Sequence, residues 1–277
     1  MTWGRPDDEE ILSGGVANAG LVVRVGDEVR RPANVRTPTV HAFLRRLHAS
    51  GFDGVPRPVG SPAIDAEGRE RLAFIPGEVP LPPYPSWAQT DRALASVARL
   101  LRRFHDATRL CVTGPAGSRD LWSDELADPW SGPGDEILVC HNDVCLENVV
   151  FRDGEAVALL DLDFAAPGRA TYDLAQLARM CAPVDDPLPA QRLGWLPADV
   201  AARLRVVADA YGLQQGRGEL VQILDASIAR GGDFVRRHVD AGEPGFVAMW
   251  LEIGGMARFD RRRAWFAEMR ETLERDL

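Results

Sequence analysis

The 277-residue sequence contains no lysine: all 32 of its Lys and Arg positions are arginine. That absence removes Schiff-base chemistry on a lysine. Any phosphate clamp therefore has to be a guanidinium, planar and permanently charged. Cysteine is sparse, and Cys111, Cys140, Cys145 and Cys181 have spacings that suit neither a disulfide framework nor a paired zinc-ligand pattern, so buried thiols are expected. No apolar run approaches the roughly 20 residues that a membrane span requires. The polar, acidic stretch Met1–Glu10 shows neither a basic segment nor an apolar one of the secretory type. Cytoplasmic residence without a membrane partner is the expectation. A net charge of −9 and a pI near 5.1 argue against a nucleic-acid surface.

What is present is a dense polar run, His141-Asn142-Asp143-Val144-Cys145-Leu146-Glu147-Asn148, followed thirteen residues later by Asp161. The apolar residues Ile137 to Cys140 read as a buried strand that delivers the run into a loop. Val149-Val150-Phe151 resumes strand character, Asp153-Gly154 is a hairpin turn, and Val157 to Leu160 returns the chain to Asp161. Two carboxylates and a carboxamide thus sit at the ends of short strands, where they can converge. Phosphoryl transfer calls for such a set: Asp143 to hold an acceptor hydroxyl, Asn148 and Asp161 as hard oxygen ligands for Mg²⁺.

Around this run the chain divides in character. Residues 10–77 read as strand-rich, with a glycine turn at Gly14-Gly15 and a strand over Leu21–Val25. A Gly26-Asp27 hairpin then leads to a strand through Arg31. Thr37 and Pro38 mark the N-cap and first residue of a helix with Val40, Phe43, Leu44 and Leu47 on one face. Val55–Val59 and Leu72–Ile75 read as two more strands. Pro80, Pro82, Pro83 and Pro85 form a stiff connector, and beyond Trp87 the pattern is mostly helical. Thr90 caps one helix, Pro197 starts another that Gly212 ends, and further helices are expected near 218–240 and 260–275.

These features resemble the aminoglycoside phosphotransferase family, small-molecule kinases related to choline kinase and distantly to protein kinases. The resemblance rests on Gly14-Gly15 with Val29-Arg30-Arg31-Pro32, on the H-x-D-x-x-x-x-N loop, and on Leu160-Asp161-Leu162-Asp163 with Asp173-Leu174-Ala175. It implies an α+β, two-lobed protein-kinase-like fold. A small β-rich lobe over 1–77 would bind nucleotide, and a larger, mainly helical lobe over 78–277 would carry catalysis and the acceptor. It also implies ATP and Mg²⁺, with the γ-phosphate passing to a hydroxyl of a small molecule. Another metabolite kinase of this fold, or a catalytically silent binding protein, is the alternative.

Within that frame Asp143 is the catalytic carboxylate, and Asn148 and Asp161 hold the metal. Asp163 supports them, His141 fixes the loop by bonding backbone, and Asp173 is a helix N-cap that braces it. Gly14 and Gly15 would approach the phosphates, and Phe74 and Ile75 would lie at the adenine-reading hinge. Family alignment on Pro32 selects Arg30 as the phosphate clamp, whereas strand alternation selects Arg31; Arg30 ranks first. Protein kinases pair that cation with a helix Glu, but here the region offers Val40 and His41. Only eleven residues separate Asp161 from Asp173, too few for a protein kinase's activation segment. Acidic residues (Asp120, Asp124, Glu125, Asp128, Asp185, Asp186) lie near Trp122, Trp130 and Trp195 in the sequence, a mixture suited to a cationic acceptor such as an aminoglycoside or choline-like alcohol, or to a solvated acidic surface.

Overall fold

Val23 and Val25 bury one face of a short strand, and Gly26, at φ +61°, reverses the chain into the next, so Gly26-Asp27 forms the expected hairpin. The computed structural model describes residues 9–12, 20–109, 121–132 and 134–277; the turn bearing Gly14 and Gly15 lies outside them. Strands β1 (Glu10–Ile11), β2 (Val23–Val25), β3 (Glu28–Pro32) and β4 (Arg69–Ala73) make an antiparallel sheet in chain order. Its register sets Arg31 opposite Glu70 and Arg30 opposite Arg71. Residues directly opposite share a face, so the two arginines project to different sides.

The expected strands at 55–59 and 72–75 need correction. β4 occupies Arg69–Ala73, and the earlier segment only runs beside it through Val59 N–H to Arg71 O (2.9 Å) and Ala73 N–H to Arg57 O (2.8 Å). Pro56 and Pro58 lack the N–H groups that a full ladder would use. Helix α1 (Thr37–Ala49) buries Val40, Phe43, Leu44 and Leu47 as the periodicity requires. Its cap is not Thr37, which is already helical. Asn34 Oδ1 accepts from the N–H groups of Arg36 and Thr37 at 2.8 and 3.1 Å, and Thr37 Oγ1 accepts from Asn34 N–H at 2.9 Å.

After the proline-rich connector comes α2 (Asp91–Arg109), whose first turn is capped by Thr90 Oγ1 accepting from Ala93 N–H at 3.2 Å. Strand β5 (Leu138–Cys140) pairs with β8 (Ala166–Gly168), and β6 (Val149–Arg152) forms a bulged hairpin with β7 (Glu155–Leu159). Helices α3 (Ala170–Cys181), α4 (Pro187–Arg192), α5 (Val200–Tyr211), α6 (Arg217–Asp240), α7 (Pro244–Ile253) and α8 (Met256–Asp276) follow. Helix α5 begins three residues after Pro197, because the Asp199 carboxylate caps it by accepting from Ala202 N–H at 3.0 Å. Among the described residues no helix is long and apolar enough to cross a membrane.

One buried cluster runs from Phe43 and Leu47 on α1 through Leu94, Leu101 and Phe104 on α2 to Leu174, Leu204 and Leu224. Phe43 meets Phe104 and Trp122 edge-on at centroid distances of 6.2 and 5.2 Å, so α1 is fastened to the helical part by the core itself. Phe74 and Ile75 leave β4 half-buried and lead to Gly77. There the chain closes on the β6–β7 hairpin, Glu78 and Phe151 exchanging two backbone hydrogen bonds of 2.8 Å. Gly77 has φ +152°, and a Cβ added to it would lie 2.5 Å from both Phe151 O and Val150 Cγ1. Gly77→Ala should thus cost about 1–3 kcal/mol, seen as a lower urea midpoint with unchanged slope. A wild-type midpoint would show that this junction yields without strain.

Candidate active site

The β5 strand ends at Cys140, and the next residues turn sharply, Asn142 taking φ +65°. A non-glycine residue holds that conformation only when its surroundings demand it. Here the demand comes from Asp173. Its buried carboxylate accepts from His141 N–H at 2.6 Å, Asn142 N–H at 2.8 Å and His105 Nε2–H at 2.9 Å. His105 Nδ1 in turn meets the Tyr211 hydroxyl at 2.7 Å, tying the loop to α2 and α5. Burial opposes ionisation of Asp173, but His105 and the backbone donors hold its carboxyl below the usual range. Asp173 is not the helix N-cap expected of it. Helix α3 already starts at Ala170, and the side chain turns to the loop rather than to its own helix.

His141 Nδ1 accepts from Asp143 N–H at 3.3 Å while Nε2–H donates to Leu160 O at 2.8 Å, which fixes the tautomer and links the loop to the segment before Asp161. Burial lowers its pKa, so the ring is neutral. Asn148 Nδ2 donates to the backbone oxygen of Asp143 at 3.0 Å and to its Oδ2 at 3.1 Å. Asn148 O accepts from Leu160 N–H at 2.8 Å, so the two strand ends lie side by side. Asp161 is held at φ +56°. The Asp143 carboxyl is pushed up to about 7, first by burial and then by the Asp161 charge.

Across from this loop stands Arg31 rather than Arg30. Arg31 Nε donates to Glu70 Oε1, Nη1 to Asp161 Oδ1 at 2.9 Å, and Nη2 to Asp163 Oδ1 at 2.7 Å. Arg30, ranked first by the match on Pro32, sits on the other face beside Glu28, 3.5 Å away, because the pleat turns neighbouring residues to opposite sides. Glu70 also accepts from His41 Nε2–H at 2.6 Å. The acid that steadies the cation thus comes from the neighbouring strand, and His41 on α1 supports it from the position where a helix glutamate was sought. Arg31 holds Asp161 below the usual carboxylate range against the effect of burial. Asp163, which shares that arginine, is pushed up to about 6 by burial and the Asp161 charge.

Asn148 and Asp161 suit a hard cation. The amide nitrogen of Asn148 is committed to Asp143 and Asp161 Oδ1 to Arg31, which leaves Asn148 Oδ1 and Asp161 Oδ2 as donors on adjacent strand ends. Phe74 and Ile75 lie at the junction of β4 with the β6–β7 hairpin, and the Arg24 guanidinium covers the Phe74 ring at 3.8 Å from its centroid.

Of the acidic residues read as an acceptor patch, Asp124 is exposed, and Glu125, Asp128 and Asp185 pair with basic side chains. Asp128 is buried against Arg169 at 2.7 Å, Glu125 accepts from His238 at 2.8 Å, and Asp185 pairs with Arg258. Trp122 packs in the core, and Trp195 lies tilted against Tyr84 with ring centroids 4.8 Å apart. Asp120 lies outside the described residues. Sequence reading missed Glu70, His105, Tyr211 and Arg179. Strand pairing in β3–β4 could have signalled Glu70, while the others depend on helix packing that has no local pattern.

The sequence model of the phosphotransferase enzyme family matches residues 118–206. The trifolitoxin immunity protein of Rhizobium leguminosarum bv. trifolii is 32% identical over 279 residues, covering 97% of this chain and 98% of the relative. The chain belongs to the phosphotransferase enzyme family. Its fold is the two-lobed, protein-kinase-like α+β fold. Choline kinase from Cryptosporidium parvum superposes with a TM-score of 0.59 at 14% identity, covering 96% of this chain and 90% of that one. The gentamicin complex of APH(2″)-IIa superposes with a TM-score of 0.56 at 12% identity over 98% and 91%.

Replacing Asp173 by Asn would set an amide N–H against backbone donors. Unfolding free energy at pH 7 should fall by about 3 kcal/mol or more. Because the folded pKa is depressed, the contribution of Asp173 is complete above the unfolded value and lost as pH falls through the folded one. The gap between wild type and variant should therefore close below about pH 4. A gap independent of pH would remove the charge of Asp173 from the explanation.

Proposed function

We propose that this protein is a small-molecule kinase that transfers the γ-phosphate of ATP to an acceptor hydroxyl with Asp143 as its catalytic carboxylate. One observation carries the reading: Asp143, Asn148 and Asp161 converge on strand ends facing Arg31, in a chain of the phosphotransferase family. In this reading the nucleotide lies between the lobes 1–77 and 78–277, against the hinge at Phe74 and Ile75, and the enzyme works in the cytoplasm. Gly14 and Gly15 belong to the phosphate-facing turn.

Asp143 receives the acceptor hydroxyl on Oδ1, since Oδ2 is held by Asn148. A carboxyl near neutrality is a better proton acceptor than an ordinary one, and in a loose transition state the proton leaves late. Asn148 and Asp161 would hold Mg²⁺, which supplies charge neutralisation on the transferred phosphoryl group. Arg31 has five N–H groups, and three are committed to Glu70, Asp161 and Asp163. The remaining two serve the nucleotide phosphates. The immunity function in the name of the Rhizobium relative makes a hydroxyl-bearing toxin one acceptor worth testing beside metabolites and antibiotics.

Asp143→Asn should lower turnover by about 10²-fold or more, with Mg-ATP affinity by calorimetry nearly unchanged; retained turnover would remove Asp143 from the chemistry. Arg31→Met should raise the ATP requirement and lower turnover, whereas Arg30→Met should change stability by no more than about 0.5 kcal/mol and leave ATP kinetics intact. The opposite pattern would transfer the clamp to Arg30.

A further inference from the structure

Helix α3 carries, against α6 and close enough for its charge to act on Asp143, an arginine with no ion-pair partner within 4.0 Å among the described residues. Arg179, half-buried near the end of α3, donates from Nε to Gln176 Oε1 at 2.9 Å. Gln176 is buried and doubly anchored. Its Oε1 also accepts from Ser227 Oγ on α6 at 2.6 Å, and its Nε2 donates to the Tyr172 hydroxyl at 3.1 Å. The stem of the guanidinium is therefore fixed, while Nη1 and Nη2 donate to none of the described residues. Among the charges acting most strongly on the Asp143 carboxyl, Arg179 is the cation.

Helix α6 is shaped around this group. Gly231 lies in its interior, where glycine costs about 1 kcal/mol relative to alanine. A Cβ there would stand 2.8 Å from Arg179 Nη1, 3.4 Å from Cζ and 3.8 Å from Nη2, so the missing side chain is the room in which the guanidinium lies. The carboxylate that acts most strongly on Arg179 is that of Asp143, and no described residue takes up its terminal nitrogens. Of the other acids, Asp185 is taken by Arg258 and Asp128 by Arg169.

We infer that the acceptor carries an anionic group, a carboxylate or a phosphate ester, beside its reactive hydroxyl, and that the terminal nitrogens of Arg179 bind that group. This rests on the kinase reading above and names the chemical class of its acceptor. A planar guanidinium receives a carboxylate or phosphate by two parallel hydrogen bonds, which would fix the distance between the anionic group and the hydroxyl presented to Asp143. A polycationic acceptor would instead bring like charge against Arg179.

The test pairs acceptors that differ in the anionic group alone, glycerate with glycerol and gluconate with glucose, and adds choline and kanamycin. ADP release gives turnover, and calorimetry on protein saturated with Mg²⁺ and a non-hydrolysable ATP analogue gives binding. The anionic member of a pair should exceed its neutral twin by about tenfold or more in kcat/KM and in affinity. Arg179→Gln should abolish that preference. Gly231→Ala keeps the charge, favours the helix and displaces the guanidinium, so it should weaken the preference without loss of thermal stability. Preferential turnover of choline or kanamycin, an anionic member no better than its twin, or a preference that survives both substitutions overturns the inference while leaving phosphotransfer intact. Binding of the anionic members that depends on Arg179, with no ADP release from any compound, supports the anion site and sinks the kinase reading instead.

Discussion

A carboxylate with no access to water would ordinarily be neutral, because removing an ion from solvent costs several kcal/mol. Asp173 stays charged because three donors converge on it: two consecutive backbone N–H groups of the loop and the imidazole of His105. Those same bonds force the backbone at Asn142 into its left-handed turn and so decide where Asp143 points. The energetic need of one buried ion and the placement of Asp143 are met by the same set of contacts. Tyr211 and His105, both buried, extend the brace across α2 and α5.

The opposite wall depends on a different solution to a similar problem. A lysine clamp needs one acidic partner, and its compact ammonium tolerates several approach directions. A guanidinium is planar and offers its donors in fixed directions, and Arg31 uses three of them on Glu70, Asp161 and Asp163. Glu70 lies directly across the strand pair, so the β3–β4 register alone supplies one partner. His41 then fills the role of support from α1. In a chain without lysine, the sheet register rather than the following helix carries the geometry of the cation. The two aspartates are tied to the sheet as a result, and the segment from Asp161 to Asp163 is positioned from both sides.

Much of this was legible in the residues. The strands around the loop, the hairpin at Gly26-Asp27, the α1 and α2 faces and the association of Asp143, Asn148 and Asp161 all follow from local periodicity and spacing. Which arginine faces Asp161 was also legible, since strand alternation put Arg31 on that side, whereas matching on Pro32 pointed to Arg30. Glu70, His105, Tyr211 and Arg179 were not legible, because each acts through a partner 29 or more residues away or through the face of a neighbouring helix. The β4 boundary failed for a related reason: Arg69 to Ala73 is polar on one face, and pairing with β3 rather than its own hydrophobicity makes it a strand.

The surroundings of Asp143 show how composition can mislead about local charge. A net charge of −9 and runs of aspartate suggest a negative cleft. An acid buried in a fold rich in arginine, however, is more stable when paired, and Asp128 and Asp185 each take a guanidinium. Such pairs contribute no free charge to a ligand. What a ligand meets is the residue left over after pairing, and that is set by packing rather than by counts. Gly231 makes this concrete: it carries no charge, yet by omitting a side chain it lets Arg179 lie against α6 with its terminal nitrogens uncommitted. Beside Asp143 one arginine, given room by one glycine, thus stands as the cation among the acidic charges of Asp161 and Glu147.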